Sequence, residues 1–412
     1  MRTDSRSSDR RRRAGVVALV LLGGVAAGAC GGDAFGPVFA RPGSLAVGLF
    51  HTCWSDPGGN AWCWGNNSAG QIGDGSGGKA ANPKSVESDV PIAQLAAGLQ
   101  HSCALDDEGG ARCWGDNSAG QIGDGSVTLR LHPQRVDTDL SFAVIRAGGF
   151  HTCALTTDGV PYCWGANDDG QLGLLHPSQF CSTRPCADRP TRVEGGVVLR
   201  SIEAGFTHTC GLTADGVAYC WGANGNGQLG NGYFTSVSRP VLVTGGIRFR
   251  SLTVGERHTC GLTADDEVYC WGRNVDQQLG VELPVNECSG FFPFPCSPRP
   301  VKLVTSLAFR SITAGADHTC GLTWEGQAFC WGRNESAQLG IGGVTASQGT
   351  PQPVSGGHRF AVVGAGNSHT CGVSTDRILF CWGDNLFWQL GIGPQGIYSP
   401  APILVAFPEV VP

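Results

Sequence analysis

Residues 204–230 read AGFTHTCGLTADGVAYCWGANGNGQLG, and residues 147–173 read AGGFHTCALTTDGVPYCWGANDDGQLG. One pattern is written twice. Short runs of Thr, Tyr, Val and Trp, punctuated by Asp-Gly and Asn, read as strands and not as helix. Pairing Cys210 with Cys220 across an antiparallel hairpin sets Thr209 opposite Trp221 and Leu212 opposite Ala218. Ala214, Asp215 and Gly216 then form a three-residue loop, with Gly where a left-handed residue is required. Opposed Cα atoms in such a pair lie about 4.5–5.5 Å apart, within reach of a disulfide.

Outward from these two copies the pattern recurs, and self-similarity at a fixed period decides the architecture. Its first cysteine falls at Cys53, Cys103, Cys153, Cys210, Cys260, Cys320 and Cys371, spaced by 50, 50, 57, 50, 60 and 51 residues. A second cysteine follows ten residues later, ahead of Trp64, Trp114, Trp164, Trp221, Trp271, Trp331 and Trp382. Each unit is expected to hold its own cross-strand disulfide, an 11-residue ring worth about 3 kcal/mol at most. Two more strands complete the unit: one led by proline (Pro190 to Val193, Pro240 to Val243), the next ending at Ala-Gly (Leu199 to Gly205). Four strands in each of seven units predict an all-β, seven-bladed propeller. The first repeat has no proline-led strand before Leu45, and Pro400 to Phe407 is spare. The C-terminal strand is therefore expected to close the ring by completing the first blade and removing its open edge.

The N-terminus reads as a targeting segment. Arg10 to Arg13 precede an apolar run, Ala14 to Ala27, too short to span a bilayer comfortably. Ala27, Gly28 and Ala29 lead into Cys30, as in a bacterial lipoprotein signal, with Ala27 where leucine is usual. Cleavage elsewhere would give a free secreted protein instead. The expected organisation is a signal peptide over 1–29, a lipid-anchored tether over 30–42 and the propeller over 43–412. Nineteen cysteines is an odd number; with Cys30 acylated, eighteen remain and all can pair. Seven pairs are intra-blade, ending at Cys63, Cys113, Cys163, Cys220, Cys270, Cys330 and Cys381; the two long spacings carry Cys181 with Cys186 and Cys288 with Cys296. The whole chain has 28 basic and 34 acidic residues. Without the six Arg and two Asp of 1–29, 22 face 32, a net charge of −10. That sign excludes a binder of phosphate backbones.

Ala-Gly-x-x-His-Thr, Leu-Thr-x-Asp-Gly, Trp-Gly-x-Asn and Gly-Gln-Leu-Gly together resemble the regulator of chromosome condensation repeat family, over about residues 43–407. The resemblance implies a seven-bladed propeller. The family's eukaryotic founder is a nucleotide exchange factor for a small nuclear GTPase that docks on nucleosomes. Secreted bacterial relatives include a propeller that buries β-lactamases against one face. The cysteine pairs depart from the nuclear members and fit an oxidising compartment.

Residues that recur in every unit read as scaffold. His51, His101, His151, His208, His258, His318 and His369 share a strand face with the cysteines, a set that could bind zinc; hydrogen bonding between blades is the expected role in an oxidising compartment. Asn and Asp in the Trp-Gly-x-Asn loops are expected to cap those loops, not to hold calcium. Gly225, Gly227 and Gly230 match a dinucleotide-turn spacing without any βαβ unit around them. No catalytic residue, metal ligand or cofactor is expected.

Residues that differ between units are the candidates for function. Strand direction puts the x-x-His turns, the Trp-Gly-x-Asn loops and both insertions on one face. Phe50, Phe150, Phe206, Arg257, Phe387 and Trp388 belong to it, and aromatic and Arg anchors on a rigid frame suit a protein interface. The reading is a monomeric, non-enzymatic binding protein outside the cytoplasm of a bacterium, membrane-bound by lipid alone. Its partner is expected to be a protein, or a glycan, and not a nucleic acid. The alternatives are a guanine-nucleotide-exchange regulator and a propeller enzyme acting on glycan or peptide through the central channel.

Overall fold

The computed structural model describes residues 43–175, 179–181, 183–284, 288 and 294–407. Residues 1–42, on which the expected signal peptide and the expected lipidation of Cys30 fall, lie outside the described residues. Seven antiparallel sheets of four strands, one carrying a fifth, follow one another along the chain. In the fourth the strands are Ser201–Ala204, His208–Leu212, Ala218–Gly222 and Val237–Leu242, hydrogen-bonded in sequence order. The expected register holds: Thr209 faces Trp221, Cys210 faces Cys220 and Leu212 faces Ala218. Gly216 has φ +82°, the left-handed residue of the hairpin loop. Counted from the hydrogen-bonded Thr213–Val217 pair, the cysteines fall at a non-hydrogen-bonded pair, where strands approach most closely. Their Cα atoms are 4.1 Å apart, and those of the other six blades 4.0–4.1 Å.

The first strand of each blade lines a central channel and the fourth is outermost, except in the third blade, where a fifth lies beyond it. Between blades sit the seven tryptophans of Cys-Trp-Gly, all fully buried. In six of the seven, the indole Nε1 donates to the glutamine carbonyl of the preceding blade's Gln-Leu-Gly or Gln-Ile-Gly segment, as Trp271 does to Gln228 at 2.9 Å.

Closure differs from the expectation. The C-terminal strand, Tyr398–Leu404, stays in the seventh blade beside Leu379–Asp384. The first blade is complete without it: Leu45–Val47, His51–Ser55, Ala61–Asn67 and Gly78–Ser85. The proline-bearing strand thus ends its own blade instead of opening the next. Its prolines also sit inside the strand, as Pro240 does in Val237–Leu242, which an outer edge tolerates because it needs no further donors. What the tail adds to the first blade is a side chain. Phe407 packs against Trp54, Trp62 and Trp64, ring centroids 4.9, 5.5 and 6.0 Å away. Phe142, Phe249, Phe309 and Phe360 do this in their own blades, 5.7–6.0 Å from the blade tryptophan. The first repeat has Pro42 at that position, so its aromatic plug comes from the other end of the propeller.

The first insertion is a β-extension: Gln179–Cys181 pairs with Arg184–Arg192, adding a fifth strand to the third blade, with Cys181 bonded to Cys186. The second carries the Cys288–Cys296 bridge and an isolated Cys288–Phe294 pairing.

Candidate interaction face

Each Ala-Gly-x-x-His segment is a tight turn between first and second strands, closed by the glycine N–H on the histidine carbonyl, 2.9 Å in the first blade. The glycine is obligatory. A Cβ on Gly148 would come 2.4 Å from both the Gly205 carbonyl oxygen of the next blade and the His151 ring. The imidazole lies under the turn, fully buried, and reaches the next blade. His51 Nε2 meets the Ser102 hydroxyl at 2.8 Å, and His101, His151, His208, His258 and His318 meet Thr152, Thr209, Thr259, Thr319 and Thr370 at 2.9–3.0 Å. His369 closes the ring on Thr52 at 2.9 Å. Every one of these hydroxyls also sits 2.8–3.2 Å from the glutamine carbonyl of a Gln-Leu-Gly or Gln-Ile-Gly segment. A hydroxyl has one proton, and a carbonyl can only accept. The histidines therefore donate through Nε2–H, and their Nδ1 atoms find no partner among the described residues. Burial pushes their pKa down, to about 3 for His51, His151, His208, His318 and His369 and about 4 for His101 and His258. The ring is neutral scaffold, and the cysteines that share its strand face are bonded to each other.

The Trp-Gly-x-Asn asparagines are loop braces. Asn117 Oδ1 accepts from the Ile122 N–H at 3.0 Å while its Nδ2 donates to the Ser126 carbonyl at 3.0 Å. Among the described residues no three His, Cys, Asp or Glu side chains are placed to hold a metal.

The variable residues gather into two aromatic groups and one charged group. Phe150 meets Phe206 edge-on at 6.0 Å, and the Arg184 guanidinium of the first insertion lies 5.2 Å over Phe150. Phe50 of the first blade meets Phe387 of the seventh at 4.9 Å, and Lys79 lies over Phe387 and Trp388 at 5.2 and 5.4 Å. Arg257 pairs with Glu256 at 3.1 Å, in a sector that also holds Arg273 and Asp317. Burial raises the Glu256 carboxyl's pKa against the opposing pull of Arg257, and burial with Asp317 raises that of Asp276. The loops of this face also expose Phe180 (68%), Tyr233 (70%), Ile397 (63%) and Leu386 (54%). Sequence reasoning missed Lys79, Arg184 and the Arg146–Glu203 ion pair of the channel wall (2.8 Å). The signal for Lys79 was its rarity, since the chain has three lysines.

The channel encloses about 360 Å³ between the first strands, walled mostly by Gly, Ala and Val. Residues 37–356 match the model of the RCC1-like domain, and residues 360–387 that of the regulator of chromosome condensation (RCC1) repeat. The chain belongs to the regulator of chromosome condensation repeat family. Within this family it is 35% identical to the ultraviolet-B receptor UVR8 of Arabidopsis thaliana over 101 residues, 24% of this chain and 23% of the receptor. It is 27% identical to the human probable E3 ubiquitin-protein ligase HERC6 over 210 residues, half of this chain and 20% of the ligase. Both matches span under a quarter of the relative's own length. Among solved structures, Prp20p of Saccharomyces cerevisiae superposes with a TM-score of 0.73 at 23% identity, covering 89% of this chain and 88% of its own. Human WBSCR16 gives 0.74 at 21%, covering 85% and 94%. These likenesses concern the fold. Propellers of this family are mostly regulators or binding proteins, although relatives such as HERC6 are named as ligases, and the Prp20p structure was described with its binding to Gsp1p and histones. The nine disulfides fit an oxidising environment, and among the described residues no helix is long and apolar enough to cross a membrane.

Proposed function

We propose that this protein is a non-enzymatic, extracytoplasmic binding propeller, tethered through lipid on Cys30, that captures a protein on the insertion-bearing face. The observation that carries this reading is the split between repeated and singular residues. The repeated ones are spent on the scaffold, while the aromatic groups around Phe150 and Phe387 occur once each and half-exposed on one face. On the opposite face the exposed ring of Trp324 already donates to Asp266 at 2.8 Å and lies under Arg250. Buried aromatic and Arg anchors dominate protein interfaces, each costing about 2 kcal/mol or more on truncation, some thirtyfold in affinity.

The test is capture from envelope extract with wild-type bait and with Phe150, Phe206 and Arg257 replaced by Ala. The variant is expected to stay folded and lose the partner; an unchanged partner list would sink the assignment of this face. Tethering is tested separately: Cys30→Ser should release the protein from membranes, and continued attachment would refute the lipid anchor.

A further inference from the structure

We infer that the seam between the seventh and first blades holds a recognition site for a carboxylate flanked by apolar side chains, as an acidic-hydrophobic peptide segment presents. This deepens the binding-face reading and rests on it. Three features meet at this seam.

The first is backbone. Trp388 has φ +65° at the position occupied by Gly70, Gly120, Gly170 and Gly227 in four other blades and by Gln277 and Ala337, both at φ +62°, in the remaining two; only here is the left-handed residue aromatic. A bulky residue there is strained, and such strain concentrates at binding sites. The second is an aromatic floor: Phe50 and Phe387 touch across the seam, Trp388 adjoins them, and Leu386 beside them is 54% exposed. The third is charge. Lys79 is exposed and stacked over both Phe387 and Trp388, and its Nζ donates to the Leu386 carbonyl at 2.8 Å. No carboxylate of the described residues pairs with it. Three other cations of this face are paired: Arg130 with Asp124 at 2.6 Å, Arg184 with Asp168 at 3.4 Å, Arg257 with Glu256 at 3.1 Å. On a chain rich in acids, an ammonium held above an aromatic floor without a counter-ion among the described residues complements an anion carried beside apolar groups.

The probes are two blocked synthetic peptides, one with Glu between two Leu residues and one with Gln in its place, together with a trigalacturonate. Calorimetric titration should show the Glu peptide binding about fivefold to tenfold more tightly than the Gln peptide. Raised salt should shrink that gap, and Lys79→Met should abolish it. Trp388→Gly, which restores the residue of four other blades and should therefore fold, is expected to weaken both peptides several-fold. Equal binding of the two peptides, or a preference that survives Lys79→Met, would overturn the proposal. Tighter binding of trigalacturonate than of the Glu peptide would overturn it too, moving the site to acidic glycans. Partner capture that still depends on Phe150, Phe206 and Arg257 would leave the face reading standing.

Discussion

Six of the seven seams between blades are crossed by the chain itself; the seam from seventh to first blade is not. Their polar connections are alike, except that Trp382 Nε1, at the seam from sixth to seventh blade, has no partner among the described residues. His369 bonds Thr52 as His258 bonds Thr319, and Trp64 donates to Gln389 as Trp331 donates to Gln278. The closing seam differs in what is added: Phe407 on three tryptophans and Lys79 on the Leu386 carbonyl. Where covalent continuity is missing, side chains contributed from both ends of the propeller take its place. No strand is shared.

The largest way to break all seams together is acid. Burial lowers the histidine pKa values to about 3 or 4, below the unfolded value of about 6.5. Between those limits the unfolded chain binds more protons, so stability is full above about pH 6.5 and falls as pH drops toward 4. Thermal unfolding followed from pH 7.5 to 4 should show a steep loss of melting temperature, with exchange protection at the closing seam lost first. A flat profile would mean the histidines are not held neutral.

Removing one blade's bridge comes next. Replacing Cys53 with Cys63, or Cys320 with Cys330, by Ala should cost about 3 kcal/mol at most in chemical denaturation, since the rings are equally long. A larger loss in the first blade would show that closure depends on it.

Thr52→Val and Thr319→Val each leave a buried histidine N–H without an acceptor, about 1–3 kcal/mol, while the glutamine carbonyl keeps its tryptophan donor. Equal losses would confirm that both seams use the same polar link; a smaller loss for Thr52→Val would show a looser closing seam.

Phe407→Ala should have the smallest effect, about 1–2 kcal/mol, because the ring is only partly buried. The fully buried Phe309 should cost about 3–5 kcal/mol on the same change. Phe407→Ala without any effect on stability would remove the aromatic plug from the account of closure.

Much of this was legible in residue order. Hairpin register, disulfide partners, blade number and the side of the ring carrying the turns and insertions all follow from strand period and turn chemistry, which act over ten or so residues. Strand ownership was not legible, because a proline-bearing strand reads the same whether it ends one blade or opens the next. Only the packed ring shows that Tyr398–Leu404 pairs with Leu379–Asp384. Of the candidate residues, the sequence placed Phe50, Phe150, Phe206, Arg257, Phe387 and Trp388 by topology alone. Their contacts belong to the tertiary structure: Phe50 with Phe387, more than 300 positions apart, Phe150 with Phe206, and Lys79 above its two rings. A repeat determines by itself what each blade makes with its own residues; which singular side chains meet is decided when the last blade reaches the first.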